Sequence, residues 1–184
     1  ITLRSNELHL GQGGESLEDT AKILSTYGDC FMLRTESDRK VNDFKNYLSI
    51  PLINGLSPLS HPAQILSDIF TIEEITNKKI SKSKICWIGD SNNVLNSLIE
   101  ASIKFSFKLN IGCPREYPIS KKMHNWLKKK SKNIKFFHKP KDAIKNADVV
   151  LTDKVISMND KGNKIKKLKK FSNFKITSNL MSLS

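Results

Sequence analysis

Four polar clusters carry whatever chemistry this chain can perform. They are Arg34, the run 54–61 with Asn54, Ser57, Ser60 and His61, the run 90–93 with Asp90, Ser91, Asn92 and Asn93, and the run 153–158 from Asp153 to Met158. Each follows a short apolar run of the kind that forms a buried strand in a parallel sheet. In such sheets ligands bind outside the carboxyl ends of the strands. A guanidinium, an imidazole, carboxylates and amides gathered there would hold a polar, charged small molecule. Singly, each residue has an ordinary structural reading: Arg34 as a surface ion-pair partner, His61 as a helix-start residue, Asp153 as a cap. Together, at one end of a doubly wound sheet, they describe one cleft.

Other chemistries find less support. The three cysteines, Cys30, Cys86 and Cys113, lie far apart, with no C-x-x-C spacing and no histidine at a zinc-ligand interval. Cys30 and Cys86 sit in apolar runs and are expected to be small buried hydrophobes, which fits a reducing compartment. The net charge of +13 raises a nucleic-acid reading, since Trp126, Phe136, Phe137 and Phe171 interleave with lysines. Both lysine clusters, 121–141 and 161–175, fall mainly on amphipathic helix patterns, where lysine is an ordinary solvated residue. No nucleic-acid partner is therefore expected. No run approaches the ~20 apolar residues of a membrane span, and the start Ile1-Thr2-Leu3-Arg4 has no apolar signal segment. A first residue other than Met is read as the mark of a processed, trimmed or truncated chain.

The elements that must position these clusters alternate. Helices are predicted over 16–27, 37–48, 61–75, 94–105, 120–130, 141–146 and 165–171. Strands are predicted over 30–33, 51–54, 85–88, 107–111, 134–137, 148–152 and 174–177. Ser16 with Asp19 three positions on is a capping pattern, and Leu17, Ala21 and Leu24 form the stripe behind it. Pro62 suits a first helical turn, with Ile65, Leu66, Ile69 and Ile72 as the apolar face. Leu95, Leu98, Ile99 and Ser102 share one face of the next helix. The polar stretch 77–83 reads as a junction between domains. Repeated βα units of this length mean an α/β fold, two parallel-sheet domains wound with helices on both faces.

At this point the residues resemble a known family. His9-Leu10-Gly11 and Glu15-Ser16-Leu17-Glu18-Asp19-Thr20-Ala21 are similar to the matching stretch of the ornithine carbamoyltransferases. So are Ile53-Asn54-Gly55-Leu56-Ser57, Ser60-His61-Pro62-Ala63-Gln64, Trp87-Ile88-Gly89-Asp90-Ser91-Asn92-Asn93-Val94, and Thr152-Asp153 with Ser157-Met158. The H-P-x-Q run is shared with aspartate carbamoyltransferases and marks the superfamily. The D-x-N-N and D-x-x-x-S-M pair belongs to the amino-acid side of the ornithine enzymes.

The resemblance implies that residues 1–76 are the end of a carbamoyl-phosphate-binding domain, incomplete at its N-terminus, and 77–184 an ornithine-binding domain. It implies transfer of a carbamoyl group from carbamoyl phosphate to the δ-amine of L-ornithine, giving citrulline and phosphate, with no metal or organic cofactor. Arg34 would take the phosphate and carbonyl oxygens, His61 would donate to the carbonyl, and Gln64, one turn on, would hold the carbamoyl NH2. Asn93, Ser157 and Met158 would hold the ornithine backbone groups, and Asp153 would orient the δ-amine. A cytoplasmic homotrimer with active sites between subunits is the implied assembly. Lys154-Val155 stands where the family has Thr-Trp, and Asn159 where it has glycine. Those departures keep open another amine, such as putrescine or an acylated ornithine. The family's Ser-Thr-Arg-Thr-Arg and His-Cys-Leu-Pro motifs are expected beyond Ile1 and Ser184. The 184-residue chain is therefore expected to be a piece with little activity alone and poor solubility, or a non-catalytic binding or regulatory module.

Overall fold

The computed structural model describes residues 14–128, 130, 133–156 and 162–184. The chain divides into two compact units, Ile1–Ala63 and Gln64–Ser184.

In the first unit, Ser16 caps α1 (Leu17–Leu24) by accepting from the Asp19 N–H. Ser37 caps α2 (Asp38–Tyr47) in the same way, through Lys40. Between and after these helices run β1 (Phe31–Arg34) and β2 (Leu52–Leu56), paired in parallel. Ala21, Leu24 and Phe44 are buried against Phe31, Leu33 and Leu52, so α1 and α2 cover one face of the pair. The alternate residues Met32 and Ile53 are exposed on the other face. Cys30 is exposed rather than buried, because β1 begins one residue after it.

From Gln64 on, α3 (Pro62–Thr76) belongs to the second unit, followed by a single 3-10 turn (Ile80–Lys82). Then come β3 (Lys84–Ile88), α4 (Asn93–Lys104), β4 (Lys108–Gly112), α5 (Lys121–Lys128) and β5 (Ile134–Phe137). The short α6 (Pro140–Ala143), β6 (Val149–Leu151), α7 (Lys164–Lys170) and the four-residue α8 (Ser178–Met181) complete it. All four strands are parallel, in the order β5-β4-β3-β6.

Strand alternation sets the two layers. Ile85 and Trp87 point into a core with Ile65, Ile69 and Ile72 of α3, Leu95, Leu98 and Ile99 of α4, and Leu127 of α5. Cys86 and Ile88 point the other way, against Ala143, Ile144, Ala147 and Leu180. Each fully buried Ile or Leu contributes ~1.5–3 kcal/mol, so β3 is the spine of the unit. Gly112 lets α6 approach, since a Cβ there would lie 3.1 Å from the Ala143 Cβ.

The compact units divide at 63/64, because the buried isoleucines of α3 share the core of the second sheet. Two expectations are corrected. Leu66, read as part of the apolar face, is exposed. No strand forms over 174–177: Phe174 ends a 3-10 turn packed on Phe171, and Thr177 caps α8 by accepting from Leu180 N–H.

Candidate active site

In the first unit, Arg34 ends β1 and is exposed there. Leu33 pairs with Asn54 while Arg34 pairs with Leu56, so Gly55 is an extra residue on β2, and the register shift re-aims the chain at Arg34. Thr35 N–H continues the pairing to Leu56 O at 3.0 Å. The run after β2 folds onto itself. Asn54 Nδ2 donates to Ser60 Oγ at 2.8 Å and Ser57 Oγ at 3.0 Å, and Ser57 N–H donates to Ser60 O at 2.9 Å. Asn54 Oδ1 is buried without a partner among the described residues. Turning the amide over would strand Nδ2 instead, so one buried atom of this group stays unmatched either way. His61, half-buried, sits at the end of this run, immediately before Pro62 opens α3. Gln64 follows in the first turn of that helix, exposed, with Nε2 donating to Asp68 Oδ1 at 2.8 Å.

In the second unit, β4 lies to one side of β3 and β6 to the other, so the connections reverse direction between β3 and β6. The carboxyl ends of strands at such a reversal form the crevice where α/β sheets bind ligands. Asn92 and Asp153 meet there. Asn92 Oδ1 caps α4 by accepting from Leu95 N–H at 3.0 Å, and Asn92 Nδ2 donates to Asp153 Oδ2 at 2.8 Å. The capping N–H fixes which way the amide points, because only an oxygen can accept it. Asp153 Oδ1 accepts from Lys154 N–H at 2.7 Å. Asp153 is thus held at both oxygens, with lone pairs left for a cationic or neutral amine. Lys154 touches it through the backbone, while its side chain is exposed. Asn93 is the first residue of α4 and half-buried. Ser157 and Met158 lie outside the described residues, as do His9, Leu10 and Gly11.

Asp90 takes a different role from its neighbours. It is only 8% exposed, and its Oδ2 receives Lys167 Nζ of α7 at 2.5 Å. Its Oδ1 accepts from Ser91 N–H at 2.9 Å, and its carbonyl accepts from Trp87 Nε1 at 3.1 Å. Lys167 also lies 5.5 Å over the Tyr117 ring, and Tyr117 packs on Phe171. The ion pair therefore ties α7 to the loop that carries Asn92 and Asn93. Sequence reasoning placed Lys167 in a solvated surface cluster; a lysine at helical spacing from Phe171 was the only signal that α7 turns this side inward.

Residues 1–74 match the family model of the aspartate/ornithine carbamoyltransferase carbamoyl-P binding domain, and residues 81–184 match that of the aspartate/ornithine carbamoyltransferase Asp/Orn binding domain.

The chain belongs to the aspartate/ornithine carbamoyltransferase family.

The two models meet between 74 and 81, where the polar junction was expected, although α3 packs with the second unit. The ornithine carbamoyltransferase of Caldicellulosiruptor saccharolyticus is 40% identical over 188 aligned residues, covering 100% of this chain and 60% of that protein. The crystal structure of the anabolic ornithine carbamoyltransferase of Campylobacter jejuni superposes with a TM-score of 0.87 at 34% identity, covering 98% of this chain and 60% of that one. The Pyrococcus furiosus ornithine carbamoyltransferase gives 0.85 at 33%, over 100% of this chain and 59% of that one. The chain thus spans about 60% of the length of these family members. Among the described residues no cluster of three or more His, Cys, Asp or Glu could hold a metal ion, and no helix is long and apolar enough to cross a membrane.

Proposed function

We propose that this chain supplies the substrate-holding residues of an enzyme that moves the carbamoyl group of carbamoyl phosphate to the δ-amine of L-ornithine. The observation that carries the reading is the Asn92–Asp153 pair at the reversal of the second sheet, a carboxylate fixed at both oxygens where a ligand crevice forms. The names of the family's domains and relatives supply the substrate class.

In the reaction the amine, having lost a proton, attacks the carbamoyl carbon. A C–N bond forms, the bond from that carbon to the phosphate oxygen breaks with its electron pair leaving on phosphate, and the surplus proton of the attacking nitrogen passes to the departing phosphate. Arg34 binds the phosphate and carbonyl oxygens, where a planar cation suits a dianion. His61 donates to the carbonyl oxygen as negative charge develops, and Gln64 accepts from the carbamoyl NH2 once released from Asp68. Asn93, Ser157 and Met158 hold the α-amino and carboxylate ends of ornithine, and Asp153 orients the δ-amine. Much of the rate comes from holding two substrates in line, since no covalent intermediate forms. The contact of Lys154 with Asp153 is made by its backbone, which leaves the carboxylate for the amine and favours ornithine over an anionic acceptor. The working form is a cytoplasmic homotrimer of a longer protein.

The test is product formation by the protein expressed with the in-frame sequence on both sides of this segment. Ornithine, putrescine, an acylated ornithine and aspartate are supplied in turn with carbamoyl phosphate. Citrulline formed at least tenfold faster than any other product supports the reading. A faster reaction with another amine, or none with any, overturns it.

A further inference from the structure

A cavity of about 460 Å³ in the second unit reaches the 90–93 loop at Ser91 but has neither Asn92 nor Asp153 in its lining. Its other walls come from the carboxyl ends of β4 and β5, the loop 113–119 and the first turns of α5. Asp153 and Asn92 sit where β3 meets β6, whereas this cavity lies on the opposite side of β3. Clefts of roughly 300–1,000 Å³ that are mainly apolar with a few convergent polar groups are the usual form of a small-molecule site.

The lining falls into two parts. Ile111, Ile119 and Phe137 give an apolar floor, and Phe136 stands at the sheet edge still 45% exposed. The basic groups of the lining are Lys121 and His124 on the exposed side of α5, and His138 after β5. Among the described residues no carboxylate lines the cavity. Cys113 adds no negative charge, because burial pushes its thiol up to about 11. His138 Nδ1 lies 3.2 Å from the Cys113 carbonyl, which requires a proton on Nδ1 and turns Nε2 to the free side of the ring. A doubly charged phosphate would have to leave water for apolar walls. A neutral apolar molecule would make no use of the basic rim.

We propose that this cavity binds a small aromatic or branched aliphatic monocarboxylate, its apolar body on Ile111, Ile119 and Phe137 and its carboxylate at Lys121 and His124. The site is independent of the carbamoyl-transfer reading.

The experiment titrates 3-phenylpropionate, its neutral amide and acetate into the 184-residue chain, followed by backbone NMR shifts. The ligand's size sets the expected dissociation constant on the order of 1 mM. Shifts are expected at Ile111, Ile119, His124 and Phe137, with the amide about fivefold weaker and acetate not saturating. The variant Lys121→Ala/His124→Ala, both exposed positions that leave the fold intact, is expected to bring the acid down to the affinity of the amide and leave the amide unchanged. Equal binding of acid and amide, shifts centred elsewhere, or no saturable binding at ~20 mM (some twentyfold above the expected constant) would overturn the proposal.

Discussion

Replacing Lys167 by methionine should unfold the second unit far more easily than its place in a lysine-rich helix suggests. The Lys167 and Asp90 side chains are 10% and 11% exposed, and they meet at 2.5 Å. Methionine keeps the apolar stem but leaves the Asp90 carboxylate buried, with Ser91 N–H still donating to it and no cation beside it. Removing one partner of a buried pair costs ~3–5 kcal/mol. Loss of the cation over Tyr117 adds ~0.5–1 kcal/mol. Asp90→Asn should cost less, about 1–2 kcal/mol, because the flexible lysine stem can carry its charge to water while the loop holds Asp90 in place. The double variant should then lie well below the sum, with a coupling of at least ~2 kcal/mol. Urea unfolding followed by tryptophan fluorescence in a Trp126→Phe background reads this directly, since the remaining indole, Trp87, is 1% exposed and bonded to the Asp90 carbonyl. A Lys167→Met variant within about 0.5 kcal/mol of the parent, or strictly additive double-variant energies, would refute the argument.

Further predictions follow from single positions. Asn92→Ala should lose ~1–2 kcal/mol with the α4 cap, whereas Asn92→Asp should keep the cap but exchange the bond to Asp153 for carboxylate–carboxylate repulsion, and so lose stability as pH rises through the carboxylate range and cut transfer activity; urea midpoints at pH 4 and 8 and rates on the extended protein separate the two. Gly112→Ala should cost ~1–3 kcal/mol by urea midpoint, because the new methyl meets Ala143 at 3.1 Å while Asn110 Nδ2 pins the Ala143 carbonyl at 2.6 Å. Burial pushes the thiols of Cys86 and Cys113 up to about 12 and about 11, so iodoacetamide at pH 8 should label Cys30 alone in the folded chain, by mass spectrometry, and all three cysteines in urea. The same two groups keep protons that the unfolded chain releases above about 9, so the stability they preserve below that pH should decline from there towards 12.

Local signals carried most of the fold. Ser16 and Ser37 cap where a small hydroxyl precedes an apolar stripe, and the runs at 85–88 and 134–137 form strands because β-branched and aromatic residues fit a buried sheet. The same cues failed where tertiary packing decided. Ile65, Ile69 and Ile72 make an apolar face in any setting, and nothing in their spacing says which sheet they cover. Phe174 and Ile176 read as a strand, yet the contact of Phe174 with Phe171 turns the chain into a 3-10 turn. In the candidate site, the strand-end rule placed Arg34, Asn92 and Asp153 where the sheets put them. The bond from Asn92 to Asp153 joins residues 61 apart, and that from Lys167 to Asp90 spans 77, so neither was visible in local sequence.

The most direct test of the central claim, that Asp153 orients the attacking amine, is steady-state kinetics of Asp153→Asn in the protein extended on both sides of this segment. Asparagine keeps the size of the side chain and removes the charge. The account predicts a fall in kcat/KM for ornithine of ~10²–10⁴ with KM for carbamoyl phosphate within threefold of the parent. A fall smaller than threefold, or an equal loss expressed wholly in carbamoyl phosphate binding, would contradict it.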